Sequence, residues 1–384
     1  MTKICLLGAS GSIGRQTLEV MKEQGDFKLV SFSVGHNTEI IEQIIKEHPE
    51  VESLYLIDSK IKDKLCLKYK NIIMFSGENG LKEMVEKTTA DMVVNALVGF
   101  CGLIPSIAAL NRNLDLALAN KESLVVGGEL ISKLLKEGHG RIYPIDSEHS
   151  ALLKCLLVDD RNVKELILTA SGGAFRNLKR EELNNLTKED ALKHPTWKMG
   201  SKITIDSATM VNKCFEIIEA HYLFDYPFSK IKVILHDESN VHSMVLYKNG
   251  FYRAEVNNPD MKNPIAFALS HNLAYFETCV SKDYHLFGDY HFHEFNLSRF
   301  PIVKWAEKVI DEKGIYGAVL NASNEIAVQA FLNDEIKFLR IEDIINKCME
   351  ETINIVNPTL KQIIDIDELT RAKARVLVEK WRKE

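Results

Sequence analysis

A short apolar strand followed at once by three glycines constrains this chain more than any other feature. Residues 3–7 are apolar and β-prone. Gly8-Ala9-Ser10-Gly11-Ser12-Ile13-Gly14 follows, then an amphipathic helical pattern to about Gln24. Glycines at 8, 11 and 14 let the backbone approach a pyrophosphate, and the helix N-terminus holds its charge. The spacing gains force from its place at the first strand of an alternating pattern. Residues 28–34, 53–57, 72–75, 91–97, 114–119 and 141–145 read as further strands, with helical stretches between most of them. Successive β/α units predict a doubly wound, Rossmann-like parallel sheet with helices on both faces.

The second strand bears on the cofactor. A site for NAD wants an acid near its end, to bond the ribose 2′-hydroxyl. Here the strand runs into Val34-Gly35-His36-Asn37 without one, and a histidine with an amide suits a 2′-phosphate, which favours NADP; the alternative for His36 is a solvated loop residue. Further on, Ala119-Asn120-Lys121-Glu122-Ser123 crowds polar groups at the carboxyl end of a strand, where open α/β sheets bind ligands.

Two later stretches point to a cation. Tyr143-Pro144-Ile145-Asp146-Ser147-Glu148-His149 ends a β-type run with two carboxylates at i and i+2, on one side of an extended backbone. Asp206-Ser207-Ala208-Thr209-Met210-Val211-Asn212-Lys213-Cys214-Phe215-Glu216 reads as a helix capped by Asp206 or Ser207, with Asn212 and Glu216 on one face and Lys213 beside them. Three carboxylates without a nearby Cys or His pair describe an oxygen-ligand site for Mg²⁺ or Mn²⁺. The alternative is that Asp146 and Glu148 are ordinary surface acids.

At 384 residues the chain exceeds one comfortable core, so several domains are expected. A net charge of −6 gives no general attraction to nucleic acid. Seven cysteines without a C-x-x-C pair read as reduced thiols, which predicts a cytoplasmic protein. No signal peptide is expected. The most membrane-like stretch, 92–110, is interrupted by Asn95, Gly99, Gly102 and Pro105, so no membrane span is expected either.

Beyond Ser147 the pattern changes. A strand at 165–169 ends in Ser171-Gly172-Gly173, a second possible phosphate cradle. Residues 176–201, with His194-Pro195-Thr196-Trp197-Lys198-Met199-Gly200, read as an active-site lid; the alternative for Trp197 is a core residue. Strands at 232–235, 242–247 and 251–256 predict a small sheet with an exposed face available for pairing. His285, His291, His293 and Glu294 invite a zinc reading, but no further ligands stand at zinc spacing, so a packed connecting segment is the better expectation. The remainder is almost wholly helical, and Leu320-Asn321-Ala322-Ser323-Asn324-Glu325 begins one of its helices.

Taken together, the order and spacing of Gly8–Gly14, Ala119–Ser123, Asp146–His149, Ser171–Gly173, His194–Trp197, Asp206–Lys213 and Asn321–Glu325 resemble the 1-deoxy-D-xylulose-5-phosphate reductoisomerase family, from the first strand to the C-terminal helices. The resemblance implies NADPH- and metal-dependent conversion of a sugar phosphate, 1-deoxy-D-xylulose 5-phosphate, to 2-C-methyl-D-erythritol 4-phosphate in the non-mevalonate isoprenoid pathway. It implies that Asp146, Glu148 and Glu216 hold Mg²⁺ or Mn²⁺, and that Ser171, Ser207, Asn212 and Lys213 take the substrate phosphate. Lys121, Ser147, Glu148, His194, Trp197 and Glu216 would contact the substrate or its chelate, with Lys121, Glu148 and His194 catalytic. Ser10, Gly11, Ser12, Ile13, Gly35, His36, Asn37, Asn120, Glu122 and Gly200 would line the NADPH site. The expected division is a cofactor domain at 1–146, a catalytic and dimerisation α+β domain at 147–283, a linker at 284–300 and a C-terminal helical bundle at 301–384, in a homodimer. This chain departs from the family pattern at His36, where Lys or Arg is common, at Ala174, where Pro is usual, and at Ser323, which replaces an Ala. Rival readings are a metal-dependent NADP dehydrogenase of a hydroxy acid, without skeletal rearrangement, and a redox regulator that only binds NADP(H).

Overall fold

The computed structural model describes residues 1–194, 196–197, 199–271 and 288–382. These group into two compact units. The first contains Met1–Ser123, Ile131–Ser150 and a segment starting at Asp260; the second contains Leu124–Leu130, Ala151–Pro259 and the described residues from 288 onward.

In the first unit, β1 (Thr2–Leu7), β2 (Phe27–Val34), β3 (Ser53–Leu56), β4 (Ile73–Phe75), β5 (Met92–Asn95), β6 (Asp115–Leu118) and β7 (Ile142–Pro144) form one parallel sheet in the order β4-β3-β2-β1-β5-β6-β7. Strands β3 and β5 are buried along their whole length, as expected of a sheet covered on both faces. Ile4, Leu6, Phe32, Leu54 and Val94 form its core, joined by Ile265 and Leu269 from the helix Lys262–Ser270. Strand order reverses between β1 and β5, and ligands bind open sheets of this kind at that switch.

The second unit holds a mixed sheet, in the order β11-β10-β8-β9-β12, of β8 (Val163–Ala170), β9 (Ile231–His236), β10 (Val241–Tyr247), β11 (Tyr252–Val256) and β12 (Phe292–Glu294). β8 and β9 run parallel; the other pairs are antiparallel. Four helices, Lys304–Glu312, Tyr316–Leu332, Phe338–Glu350 and Leu360–Trp381, make up the C-terminal part and share one core with Leu166, Leu168 and Phe215. No helix among the described residues is long and apolar enough to cross a membrane.

Two local expectations are corrected. The stretch from Asp206 to Glu216 is not one helix but the end of Ser201–Thr209 and the start of Val211–Phe224, broken at Met210 with a φ of 66°. Asp206 and Ser207 therefore lie inside the first helix and cap nothing. Asp146 and Glu148 do not share an extended run either, because the helix Ser147–Val158 starts between them and the Glu148 N–H donates to Asp146 Oδ1 at 3.2 Å. His291 and His293 flank or lie on an edge strand, β12, which packs this segment against β9. His285 lies outside the described residues.

Candidate functional site

The glycine turn after β1 is shaped by close backbone approach. Gly8 has a φ of 85°, and a Cβ there would meet the Ala96 carbonyl oxygen at 2.6 Å; a Cβ on Gly14 would meet the Gly8 carbonyl oxygen at 2.2 Å. Any side chain at either position would push the turn off its neighbours. The Gly8 N–H donates to Ser33 Oγ and the Ala9 N–H to the Ser33 carbonyl, both at 2.8 Å, which ties the turn to the end of β2. Gly11 precedes the helix Ser12–Gln24 and no side chain caps its first amides. Ser12 is exposed and Ser10 and Ile13 are half-buried around this helix start. The surface fits a pyrophosphate held by backbone N–H groups. Gly35 is half-buried, and His36 and Asn37 are exposed beyond β2.

Asn120 is buried beyond β6. Its Nδ2 donates to the Leu97 and Gly99 carbonyls at 3.1 and 3.0 Å and to Glu122 Oε2 at 3.0 Å, so Asn120 and Glu122 hold the loop after β5 in shape. Next to them Lys121 Nζ donates to Asp146 Oδ2 at 2.5 Å, and His149 Nδ1 to Asp146 Oδ1 at 3.0 Å. Burial pushes the Asp146 carboxyl up, but the charges and hydrogen bonds of Lys121 and His149 outweigh it and hold the group well below the usual carboxylate range. Asp146 is thus an anion at neutral pH. Ser147 Oγ donates to Glu148 Oε2 at 2.5 Å, which leaves two oriented carboxylates, the donor set of a hard cation. His149, fully buried, also takes part, although its motif alone assigns it no role. Its spacing of i+3 from Asp146 across a helix start is the signal that was there to read.

In the second unit a cluster gathers at the carboxyl end of β8. His194 Nε2 lies 3.1 Å from Ser171 Oγ and 3.3 Å from Ser207 Oγ. His194 Nδ1 accepts the Thr196 and Trp197 N–H groups at 3.2 and 3.0 Å, so the ring proton sits on Nε2 and faces the two serines. Burial, aided by the charge of Arg176, pushes the imidazole down to about 4, and it is neutral at physiological pH. Gly172 and Gly173 have φ of 80° and 69°, and a Cβ on Gly173 would meet the Ser207 carbonyl oxygen at 2.6 Å. The Ser-Gly-Gly turn therefore lies flush on the helix Ser201–Thr209. Lys213, 4% exposed, donates to the Thr169 carbonyl at 2.5 Å and pairs with Glu216, while Asn212 Nδ2 donates to Glu216 Oε1 at 2.5 Å. Ser171, Gly172, Gly173, His194, Ser207 and Lys213 so converge in a ring of donors around one strand end, the composition of a phosphate cradle. Glu216, 1% exposed, places a third carboxylate beside it.

Trp197 is half-buried, its ring 6.1 Å from that of His242. Gly200 is exposed, and Pro195 and Lys198 of the expected lid lie outside the described residues. The histidines of the zinc reading have other partners: His291 Nδ1 lies 2.6 Å from Glu238 and His293 Nε2 3.2 Å from Asp237. The cysteines are free among the described residues.

Comparison with known proteins adds a consistent picture. Three family models match, described as 1-deoxy-D-xylulose 5-phosphate reductoisomerase at 4–128, its C-terminal domain at 142–224 and the DXP reductoisomerase C-terminal domain at 256–373. A Bacillus cereus protein named 1-deoxy-D-xylulose 5-phosphate reductoisomerase is 43% identical, over 97% of this chain and 98% of its own. One of the same name from Caldanaerobacter subterraneus is 44% identical, with 97% and 98% covered. Among solved structures, a DOX-P reductoisomerase in complex with NADPH, fosmidomycin and magnesium aligns with a TM-score of 0.91 at 32% identity, covering 99% of this chain and 98% of that one. The reductoisomerase of Zymomonas mobilis in complex with NADPH aligns with a TM-score of 0.89 at 33% identity, covering 98% and 99%.

Proposed function

The chain belongs to the 1-deoxy-D-xylulose 5-phosphate reductoisomerase family, and from that premise we infer how its residues divide the work of converting this sugar phosphate to 2-C-methyl-D-erythritol 4-phosphate with NADPH and a divalent cation. The observation that carries the reading is the donor ring at the end of β8, where Ser171, His194 and Ser207 meet around one imidazole Nε2. A phosphate monoester there would replace the mutual contacts of these three side chains with bonds to its oxygens, and Lys213 and Asn212 would complete the clamp. The clamp supplies remote binding energy that positions a small, flexible sugar. A redox regulator that merely binds NADP(H) has no use for such a ring.

NADPH is assigned to the turn at Gly8–Gly14, with Ser10, Gly11, Ser12 and Ile13 at the pyrophosphate and Gly35, His36 and Asn37 at the 2′-phosphate. Asn120, Glu122 and Gly200 complete that assignment. Asp146, Glu148 and Glu216 are assigned to the cation, Mg²⁺ or Mn²⁺; all three offer oxygen donors, and Asp146 is already ionised. When bound, the cation supplies Lewis acidity and the nicotinamide a hydride. The protein does the rest. Lys121 balances the Asp146 charge, Ser147 and Glu148 face the substrate hydroxyls, and His194 holds a proton on Nε2 toward the phosphate end. Trp197 covers the sugar as part of a lid at 176–201, which excludes water from the reduction.

Cofactor binding is placed in 1–146 and the chemistry in 147–283, joined through 284–300 to the supporting helices at 301–384. The active form is a cytoplasmic homodimer. Support comes from β11, an edge strand whose Tyr252, Ala254 and Val256 are exposed, next to an exposed Phe251. Such an edge needs a partner or a cover. NADPH oxidation with 1-deoxy-D-xylulose 5-phosphate, with and without Mg²⁺, tests the function. Metal-dependent oxidation yielding a branched methyl group by NMR is expected; oxidation of a hydroxy acid series without any branched product would replace this reading with the dehydrogenase.

A further inference from the structure

One motif remains without a role, Asn321-Ala322-Ser323-Asn324-Glu325 in the helix Tyr316–Leu332. Its side chains are not surface groups. Asn321, Ser323 and Asn324 are all fully buried. Asn324 Nδ2 donates to Asp206 Oδ1 at 2.8 Å, and the other Asp206 oxygen accepts Lys202 Nζ at 2.7 Å. Asp206, 3% exposed, immediately precedes Ser207 on the helix Ser201–Thr209. A buried carboxylate is costly unless its lone pairs are filled, and here an ammonium on its own helix and an amide from another helix fill them. Asn324 Oδ1, by contrast, is buried without a hydrogen-bond partner among the described residues. An amide left half-satisfied adds little net stability. What it does fix is direction, because only one helix face can offer Nδ2 to Asp206.

That direction matters for the cradle. The same helix turn is where Gly173 fits flush, with no room for a Cβ against the Ser207 backbone. Ser207 is thus held by the glycine turn against its backbone and by the Asp206–Asn324 bond at the preceding residue. We propose that Asn324 and Asp206 are positioning residues for the phosphate cradle, setting Ser207 Oγ opposite Ser171 Oγ around His194. The inference rests on the assignment of that cradle to the substrate phosphate. It does not require either residue to touch substrate.

The test compares Asn324→Asp, which sets two carboxylates against each other, with the exchanged pair Asp206→Asn/Asn324→Asp, which restores a carboxylate–amide bond. The readouts are KM for the sugar phosphate, the inhibition constant of inorganic phosphate, kcat, KM for NADPH and Tm. Asn324→Asp is expected to raise the first two by about tenfold or more, with kcat within about threefold and KM for NADPH within about twofold, and the exchanged pair to restore both. Should Asn324→Asp fail to fold, the exchanged pair and Asp206→Asn alone decide: the pair must bind phosphate more tightly than Asp206→Asn. Folded Asn324→Asp with unchanged phosphate affinity, or an exchanged pair no better than the single variants, overturns the proposal. Ser207→Ala separates the two layers. If it too leaves phosphate affinity unchanged, the cradle assignment itself falls; if it weakens binding while Asn324→Asp does not, only the positioning role falls.

Discussion

After β1 the chain shapes the site assigned to the cofactor phosphates out of backbone, and after β8 it shapes the one assigned to the substrate phosphate out of side chains. The first is contiguous: seven residues, with glycines where a Cβ would strike the Ala96 or Gly8 carbonyl and a helix whose first amides no side chain caps. The second is gathered from three separate places, Ser171 after a strand, His194 from a loop and Ser207 from within a helix. A backbone site tolerates change in its side chains and fails when a glycine gains one. A side-chain site behaves in the opposite way. It also draws on positions far from the ligand to keep its members in register.

The largest effect should come from the carboxylates, which have no backbone substitute. Glu216→Gln removes, at constant size, a carboxylate assigned to the cation, and kcat/KM is expected to fall on the order of 10³-fold, several kcal/mol of transition-state stabilisation. Part of the loss should return in excess Mn²⁺. Asp146→Asn should behave alike, and the double variant should lose far less than the product of the two. NADPH affinity, measured by fluorescence titration, should stay within about twofold, since that site uses other groups. Multiplying losses with unaltered Mg²⁺ affinity would mean that the acids do not share an ion.

Next in size is the glycine turn. Gly14→Val would place a Cβ only 2.2 Å from the Gly8 carbonyl oxygen. NADPH affinity is expected to drop by about two orders of magnitude, consistent with the loss of several backbone hydrogen bonds to phosphate, with inorganic phosphate inhibition unchanged. Equal weakening of both ligands would show a general unfolding of the chain and erase the contrast between the two sites.

The sequence made the backbone site readable because its elements are contiguous and each glycine has a steric reason. The parallel sheet was readable for a similar reason: fully buried strands such as Ser53–Leu56 and Met92–Asn95 recur between amphipathic helices. The side-chain site was readable only through the order of its motifs. Local rules fail at two places, one beside the cradle and one in the acid cluster of the first unit. They gave one helix where Met210, a non-glycine in the left-handed region, separates two. They also treated Asp146 and Glu148 as strand neighbours, where Asp146 accepts an amide at a helix start. Asn324 is hidden because its partner Asp206 is brought to it by tertiary packing, 118 positions away in sequence, whereas His149 stands at i+3 from Asp146 and is legible once a helix start is placed between them. Nor does anything local announce that Lys262–Ser270 returns to the core of the first sheet.

A smaller effect is expected at His36, exposed beyond β2. Replacing it by Asp puts an acid where a 2′-hydroxyl is preferred to a 2′-phosphate. The ratio of kcat/KM for NADPH over NADH should fall about tenfold, roughly one charged contact. The parent chain using both cofactors equally would show that Gly35-His36-Asn37 does not read the phosphate.

The smallest effect is on stability, and it again separates the two regions. His194 and His242 lie in the unit that bears the cradle, and each is pushed down from 6.5 to about 4; burial is the main cause for both. In the unfolded chain these rings take up a proton near the ordinary histidine value, while in the folded one they resist it until about 4. The stability their neutral forms allow is therefore complete above about pH 6.5 and drains away as the pH falls toward about 4. Differential scanning calorimetry from pH 7 to 4 should show Tm falling by several degrees in that window, with a shallower slope for His242→Asn. His242→Asn leaves the cradle's own histidine in place, so the slope that remains reports His194. Since His194 is neutral throughout the physiological range, KM for the sugar phosphate should show no inflection between pH 6 and 8 that belongs to this ring. A break in KM near 6.5, abolished by His194→Gln, would mean instead that the ring is charged when the phosphate binds, and that a cation rather than a neutral N–H completes the side-chain site.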